Sequence, residues 1–230
     1  MIVTCYYDIY NKPENFAKYV ELFSTLANSG IPIILFTTPD LASNFMFPNV
    51  TVISVALETF ELYSIGMKYN GALPPNRDPK KDTREFLSLM NTKIEFIAKA
   101  AELVQDDTFM WIDFGILKIV HNTNRFINKL RSINDQTFTN ITIPGCWGFG
   151  SSFSVDNVNW RFCGGFFVIP RHHIQTFYGH SKNVLTDFCT LPQYKLTWET
   201  NVWYIIEYCA AKSIITWYFA DHNESIVLNL

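Results

Sequence analysis

Residues 108–117 read TFMWIDFGIL, and they decide the fold. Phe109, Met110, Trp111 and Ile112 form an apolar run of the length and type of a buried strand. An ionisable residue, Asp113, ends the run, and Gly115 follows two places later. In an open parallel sheet, ligands bind beyond the carboxyl ends of the strands. A carboxylate at such an end can hold a divalent cation or a ribose hydroxyl, and a glycine beside it lets a ligand reach the backbone. The alternative is an Asp113 that caps the turn after the strand.

Upstream, MIVTCYYDI, IPIILFTTP and VTVISVAL read as three further strands. Between the first two, Phe16, Val20, Phe23 and Ala27 recur at helical spacing. NGALPPNRDPKKD, residues 70–82, is rich in turn formers and charge and reads as an exposed, mobile loop that orders over a ligand. One helix is predicted after it, with Phe86, Met90, Ile94, Ile97, Ala101 and Val104 on a single stripe. Lys93 projects from the edge of that stripe, where a lysine either snorkels to water or meets an anion. Downstream, TNITIPGCW, RFCGGFFVIP and IITWYFA are strand-like, with helices over His173–Phe188 and Trp198–Ala211. Strands alternating with amphipathic helices predict an α/β domain with a mainly parallel central sheet and right-handed crossovers.

The chain has 230 residues, 48% of them apolar and only 17% charged, which suits one well-filled core and a single domain over 1–230. A formal net charge of −3 gives no basic field for a polyanion, so nucleic acid is not expected as a partner. Five cysteines lie far apart and form no C-x-x-C pair, the usage of free thiols in a reducing compartment. The start carries no basic leader, and no apolar run approaches the roughly 20 residues of a membrane helix. A cytoplasmic protein without a transmembrane segment is the expectation. No G-x-S-x-G elbow, H-E-x-x-H helix, G-x-G-x-x-G fingerprint or Walker loop is present.

Two more segments hold candidates. Gly164 and Gly165 interrupt a bulky apolar run, as a bulge or a backbone close to a ligand would require. In LTWETNVW, Thr197 is placed to cap a helix, with Glu199 in its first turn. An acid there gains about 0.3–1 kcal/mol from the helix dipole without any further role.

TCYYDIY, KKDTREFLSLMNTKIEFIAKA, WIDFGI, GGFFVIP and TWETNVW occur in an order that resembles the HtrL/YibB-like proteins and covers most of the chain. That family looks like a branch of the GT-A class of nucleotide-sugar glycosyltransferases. The resemblance implies a single GT-A-like domain with a nucleotide-sugar-binding half (1–117) and an acceptor-side half (118–230). It implies transfer of a sugar, from a uridine diphosphate donor, to a hydroxyl of a glycan, lipid or protein. Thr4, Tyr6, Tyr7, Asp8, Lys93, Asp113 and Gly115 would bind the donor, with Lys93 offsetting diphosphate charge. WIDFG would take the place of the DxD motif, whose carboxylates hold manganese or magnesium. Asp113 matches the first acid, whereas Gly115 stands where the second would be. His222 is placed to serve as a further metal ligand. Gly164 and Gly165 would form the wall between donor and acceptor, Trp198 would stack on a sugar, and Glu199 would face the acceptor as the catalytic carboxylate. A nucleotidyltransferase of related sheet, or an inactive glycan- or nucleotide-binding relative, uses the same residues with a different outcome.

Overall fold

A computed structural model describes residues 1–230, the side chains of Pro13, Ala210 and Ala211 excepted. The strands are β1 (Ile2–Tyr6), β2 (Ile33–Thr37), β3 (Val50–Ser54), β4 (Thr108–Ile112), β5 (Ile141–Gly145), β6 (Phe166–Pro170) and β7 (Ile215–Phe219). They form one seven-stranded sheet in the order β3-β2-β1-β4-β6-β5-β7. β1 pairs in parallel with β2 and β4, β2 with β3, and β5 with β7, while β6 runs antiparallel to both β4 and β5. The chain is a single α/β domain with a mostly parallel sheet flanked by helices.

Alternation along each strand sends side chains to two cores. Val3, Cys5, Phe109 and Trp111 pack on one face, against residues of α2 (Glu61–Lys68), α4 (Lys93–Leu103), α6 (Arg171–Thr190) and α7 (Glu199–Ile206). Ile2, Met110 and Ile112 pack on the other, against α1 (Phe16–Ala27), α5 (Thr123–Asn134) and α8 (Ser225–Leu228). Both faces are covered over the central strands, which is why β1, β2, β4 and β6 read as near-continuous apolar runs, while the edge strands β3 and β7 are part-exposed. No helix among the described residues is long and apolar enough to cross a membrane. All five cysteines are free thiols.

Two local expectations need correction, and both bear on the site. The single helix predicted after the 70–82 loop is two, α3 (Arg84–Asn91) and α4, with Thr92 between them. The Thr92 hydroxyl donates to Ser88 O at 2.8 Å, taking the carbonyl that a continuous helix would give to its backbone N–H. The break makes Lys93 the first residue of α4. Gly164 and Gly165 do not interrupt a strand; they precede β6, which begins at Phe166. Because β6 runs against β4, its start lies beside the carboxyl end of β4, and Asp113 N–H donates to Gly165 O at 2.9 Å.

Candidate active site

β1 and β4 end side by side, and beyond their carboxyl ends opens a cavity of about 390 Å³. Residues that follow β1, the turn after β4, α3 and the chain after β7 line it. Tyr6, Tyr7, Asp8, Asp113, Gly115, Gly165 and His222, all sequence candidates, are in its wall. β7 runs parallel to β5 and so delivers His222 to this edge from the far end of the chain. The two halves divided at residue 117 therefore share one cavity.

Asp113 is held at its base. Lys93 Nζ lies 2.9 Å from Asp113 Oδ1, and Trp111 Nε1 donates to the same oxygen at 2.7 Å. Both contacts fall on Oδ1, so Oδ2 keeps its lone pairs for a ligand. Lys93 Nζ also donates to Glu199 Oε1 at 2.7 Å and to Gly164 O at 2.8 Å. Its three protons thus have three acceptors. The ammonium is 1% exposed, and burial alone would lower its pKa; the Asp113 and Glu199 carboxylates outweigh that and raise it. Lys93 stays charged. The cluster of one cation and two carboxylates carries a formal charge of −1.

Five sequence candidates lie outside the cavity wall. Lys93 is an internal counter-ion and has no proton left for a diphosphate. Glu199, 5% exposed, is committed to Lys93 and does not line the cavity. Trp198 is 7% exposed within the core, so neither ring face is open to a sugar. Thr4 is fully buried inside β1. Gly164 is a glycine for a packing reason: a Cβ there would lie 2.0 Å from Glu199 Oε1. Thr197 does not cap α7, whose N-cap is Trp198 with no side-chain bond.

Three lysines that the sequence reading passed over do line the cavity: Lys12, Lys81 and Lys118. Lys118 Nζ lies 3.5 Å from the centre of the Tyr19 ring, Lys81 Nζ 5.2 Å from that of Phe86, and Lys12 Nζ 5.6 Å from that of Tyr10. None of the three forms an ion pair among the described residues. The turn after β1 sets Lys12: Asp8 Oδ1 accepts the Lys12 backbone N–H at 3.1 Å, and Asn11 takes the left-handed conformation with φ 55°. The 70–82 loop reaches the rim through Lys81, whose carbonyl accepts the Tyr10 hydroxyl at 2.6 Å. One signal was available, since Lys12 and Lys118 fall in the turns after β1 and β4.

The donor set for a cation is small. Asp113 and His222 share the cavity, and burial holds the His222 imidazole below its usual pKa, so a ring lone pair is available at neutral pH. No cluster of three or more His, Cys, Asp or Glu side chains fit to hold a metal occurs among the described residues. Asp113 and His222 are two such side chains in one wall, and any further ligands to a cation there would be oxygens of a bound molecule and water.

No family model matches the chain, and no curated protein sequence matches it. Among solved structures it is similar to a glycosyltransferase involved in glycosylating the major capsid of PBCV-1, at 14% identity and a TM-score of 0.48, over 96% of this chain and 81% of that one. It is also similar to the glycosyltransferase GlyE of Streptococcus pneumoniae TIGR4 (10% identity, TM-score 0.44, 94% and 44% covered). A third likeness is the bifunctional IspDF of Campylobacter jejuni (11%, TM-score 0.41, 98% and 50% covered). The chain spans about half the length of the last two. All three likenesses are distant.

Proposed function

We propose that the chain is an HtrL/YibB-like glycosyltransferase of the GT-A class that binds a nucleotide sugar, a uridine diphosphate sugar, in this cavity. The acceptor is a hydroxyl. The observation that supports this is that three lysines without an ion-pair partner among the described residues, Lys12, Lys81 and Lys118, share one cavity wall with a fixed carboxylate at the carboxyl edge of the sheet. Cations without a carboxylate partner at a concave site favour an anionic ligand, and an acid among them suits a metal that the same anion shares. The walls carry Tyr10, Tyr19 and Phe86, half-buried rings of the kind on which a nucleobase stacks.

Asp113 Oδ2 and His222 would hold manganese or magnesium, which neutralises charge on the departing diphosphate. The lysines orient that diphosphate and add to its neutralisation. Lys93 and Glu199 act through Asp113: they fix which oxygen faces the ligand, and they are positioning residues. Asp8, in the same wall, is the other carboxylate available to a reacting hydroxyl.

The test is a thermal-shift and calorimetric series with uridine and other nucleoside diphosphates and their sugars, with and without manganese. A ligand at 100 times its Kd raises stability by about 2.7 kcal/mol. The expected result is stabilisation by a sugar nucleotide followed by release of nucleoside diphosphate. Release of pyrophosphate with nucleotide on the acceptor would show nucleotidyl transfer instead. Binding without turnover across acceptors would mark an inactive relative, and no response to any nucleotide would overturn the proposal.

A further inference from the structure

A second cavity, of about 410 Å³, opens in the connection between β5 and β6. Trp147, Ser152, Ser154, Asn157, Asn159 and Trp160 line it, and no charged side chain does. Its polar groups are neutral hydroxyls and amides, and its apolar surface is two indoles and the Val158 side chain. A fixed anion or cation would find no counter-charge here; the Asn159 amide is bonded to Ser152 O and Arg161 N–H, and a purely apolar ligand would leave the Ser152 and Ser154 hydroxyls and the Asn157 side-chain NH2 without an acceptor. A neutral polyol ring, with C–H groups on its faces and hydroxyls around its edge, satisfies both.

The connection is held from beneath at a considerable desolvation cost. Arg161 and Glu207, each 4% exposed, form a bidentate pair with Nε–Oε2 at 2.8 Å and Nη2–Oε1 at 2.6 Å. Arg161 spends its remaining Nη1 on Trp147 O at 3.1 Å. Asn201, fully buried on α7, donates to Ser154 O and Asn157 O and accepts Asn159 N–H at 2.7 Å. Cys146 N–H and Trp147 N–H both donate to Trp160 O, which closes the base of the connection. Buried ions and amides thus fix the backbone of a surface segment whose outer side presents Trp147, 40% exposed, and Phe149, 46% exposed. Stability alone gains little from an ordered connection with its indole in water. A preformed binding surface does gain from it.

The second cavity also adjoins the first. The Trp160 ring lies 5.0 Å, centroid to centroid, from the His222 ring, and His222 lines the first cavity. We infer that the 146–160 connection is a carbohydrate subsite that seats a neutral sugar ring of the acceptor against Trp147 and Trp160, beside the donor cavity. The acceptor is then a glycan hydroxyl. This deepens the glycosyltransferase reading and rests on it for the word acceptor, while the sugar site itself is measurable without a donor.

The protein, wild type and Trp147→Ala, is applied to an array of neutral oligosaccharides built from glucose, galactose, mannose and their N-acetyl derivatives. Binding of the best hit is then titrated by indole fluorescence. Wild type is expected to bind at least one glycan, with about tenfold loss in Trp147→Ala and recovery in Trp147→Phe, which keeps a stacking ring. Affinity for uridine diphosphate and melting temperature should be the same in all three. If uridine diphosphate fails to bind but Trp147-dependent glycan binding persists, the subsite stands and the transferase reading falls. If uridine diphosphate binds and no glycan on the array does, or if binding ignores Trp147, the subsite is overturned. Trp147-dependent association with neutral phosphatidylcholine vesicles in place of glycans overturns it equally.

Discussion

Lys93 Nζ stands 2.9 Å from Asp113 Oδ1, beneath a cavity that Asp113 enters and Lys93 does not. The pair separates two tasks that look alike in sequence. A carboxylate that lines the cavity is held by an ammonium that does not, and Glu199 binds the same ammonium.

Lys93→Met should be strongly destabilising, by about 3–5 kcal/mol, because it leaves Glu199 buried without a counter-charge. Lys93→Met with Glu199→Leu should recover much of that loss while ligand affinity at Asp113 stays impaired. Chemical denaturation of the single and double variants, with nucleotide titration of each, checks both halves. A double variant no more stable than the single would refute the burial argument.

Glu199→Gln tests the positioning role. It should lower stability by about 1–3 kcal/mol, since an ion pair with the buried Lys93 ammonium becomes an ion–dipole bond to a neutral amide. Because Glu199 does not line the cavity, turnover should fall through weaker metal-dependent donor binding, a rise in KM. A collapse of kcat at unchanged KM and melting temperature would restore the catalytic reading.

Lys12→Gln, Lys81→Gln and Lys118→Gln should each weaken nucleoside diphosphate binding by roughly three- to tenfold and flatten its salt dependence, with little change in stability. Calorimetry at two ionic strengths reads this. Lys118 should matter through packing as well, since its ammonium sits on the Tyr19 ring.

Gly164→Ala and Gly165→Ala should differ. A Cβ at Gly164 meets Glu199 Oε1 at 2.0 Å and displaces the carboxylate from Lys93; at Gly165 the nearest atom is the end of the Ile116 side chain at 3.3 Å. The first should cost about 1–3 kcal/mol and the second less. Equal melting temperatures would contradict the assigned geometry.

Burial lowers the folded pKa of His222, while Asp113 pulls it the other way. The neutral form is favoured in the fold, so this contribution to stability is complete above the ordinary histidine value of about 6.5. It is lost as pH falls below that value towards the folded pKa, because the unfolded chain takes the proton first. Melting temperatures from pH 7.5 to 5 should fall less steeply in His222→Gln than in wild type. Parallel curves would remove His222 from the acid limb.

The strands and the end of β4 were legible from residue type alone. Continuous apolar runs such as Phe109–Ile112 are required only where both sheet faces are covered, and an acid closing such a run marks the edge where ligands bind. Tyr6, Tyr7, Asp8, Asp113 and Gly115 reach the cavity because they sit at or just past strand ends, a fact of position along the chain. What the sequence could not decide is which charges face each other. Lys93 and Glu199 are 106 residues apart, and only the break at Thr92 and the reversed β6 bring them, with Gly164, into one buried cluster. Lys12, Lys81 and Lys118 read as ordinary solvated lysines until three separate loops converge on one edge. Side-chain type and periodicity are local quantities and survive in a one-dimensional string; pairing and exposure depend on tertiary packing, and they settle whether a charge binds a ligand or stabilises its neighbour.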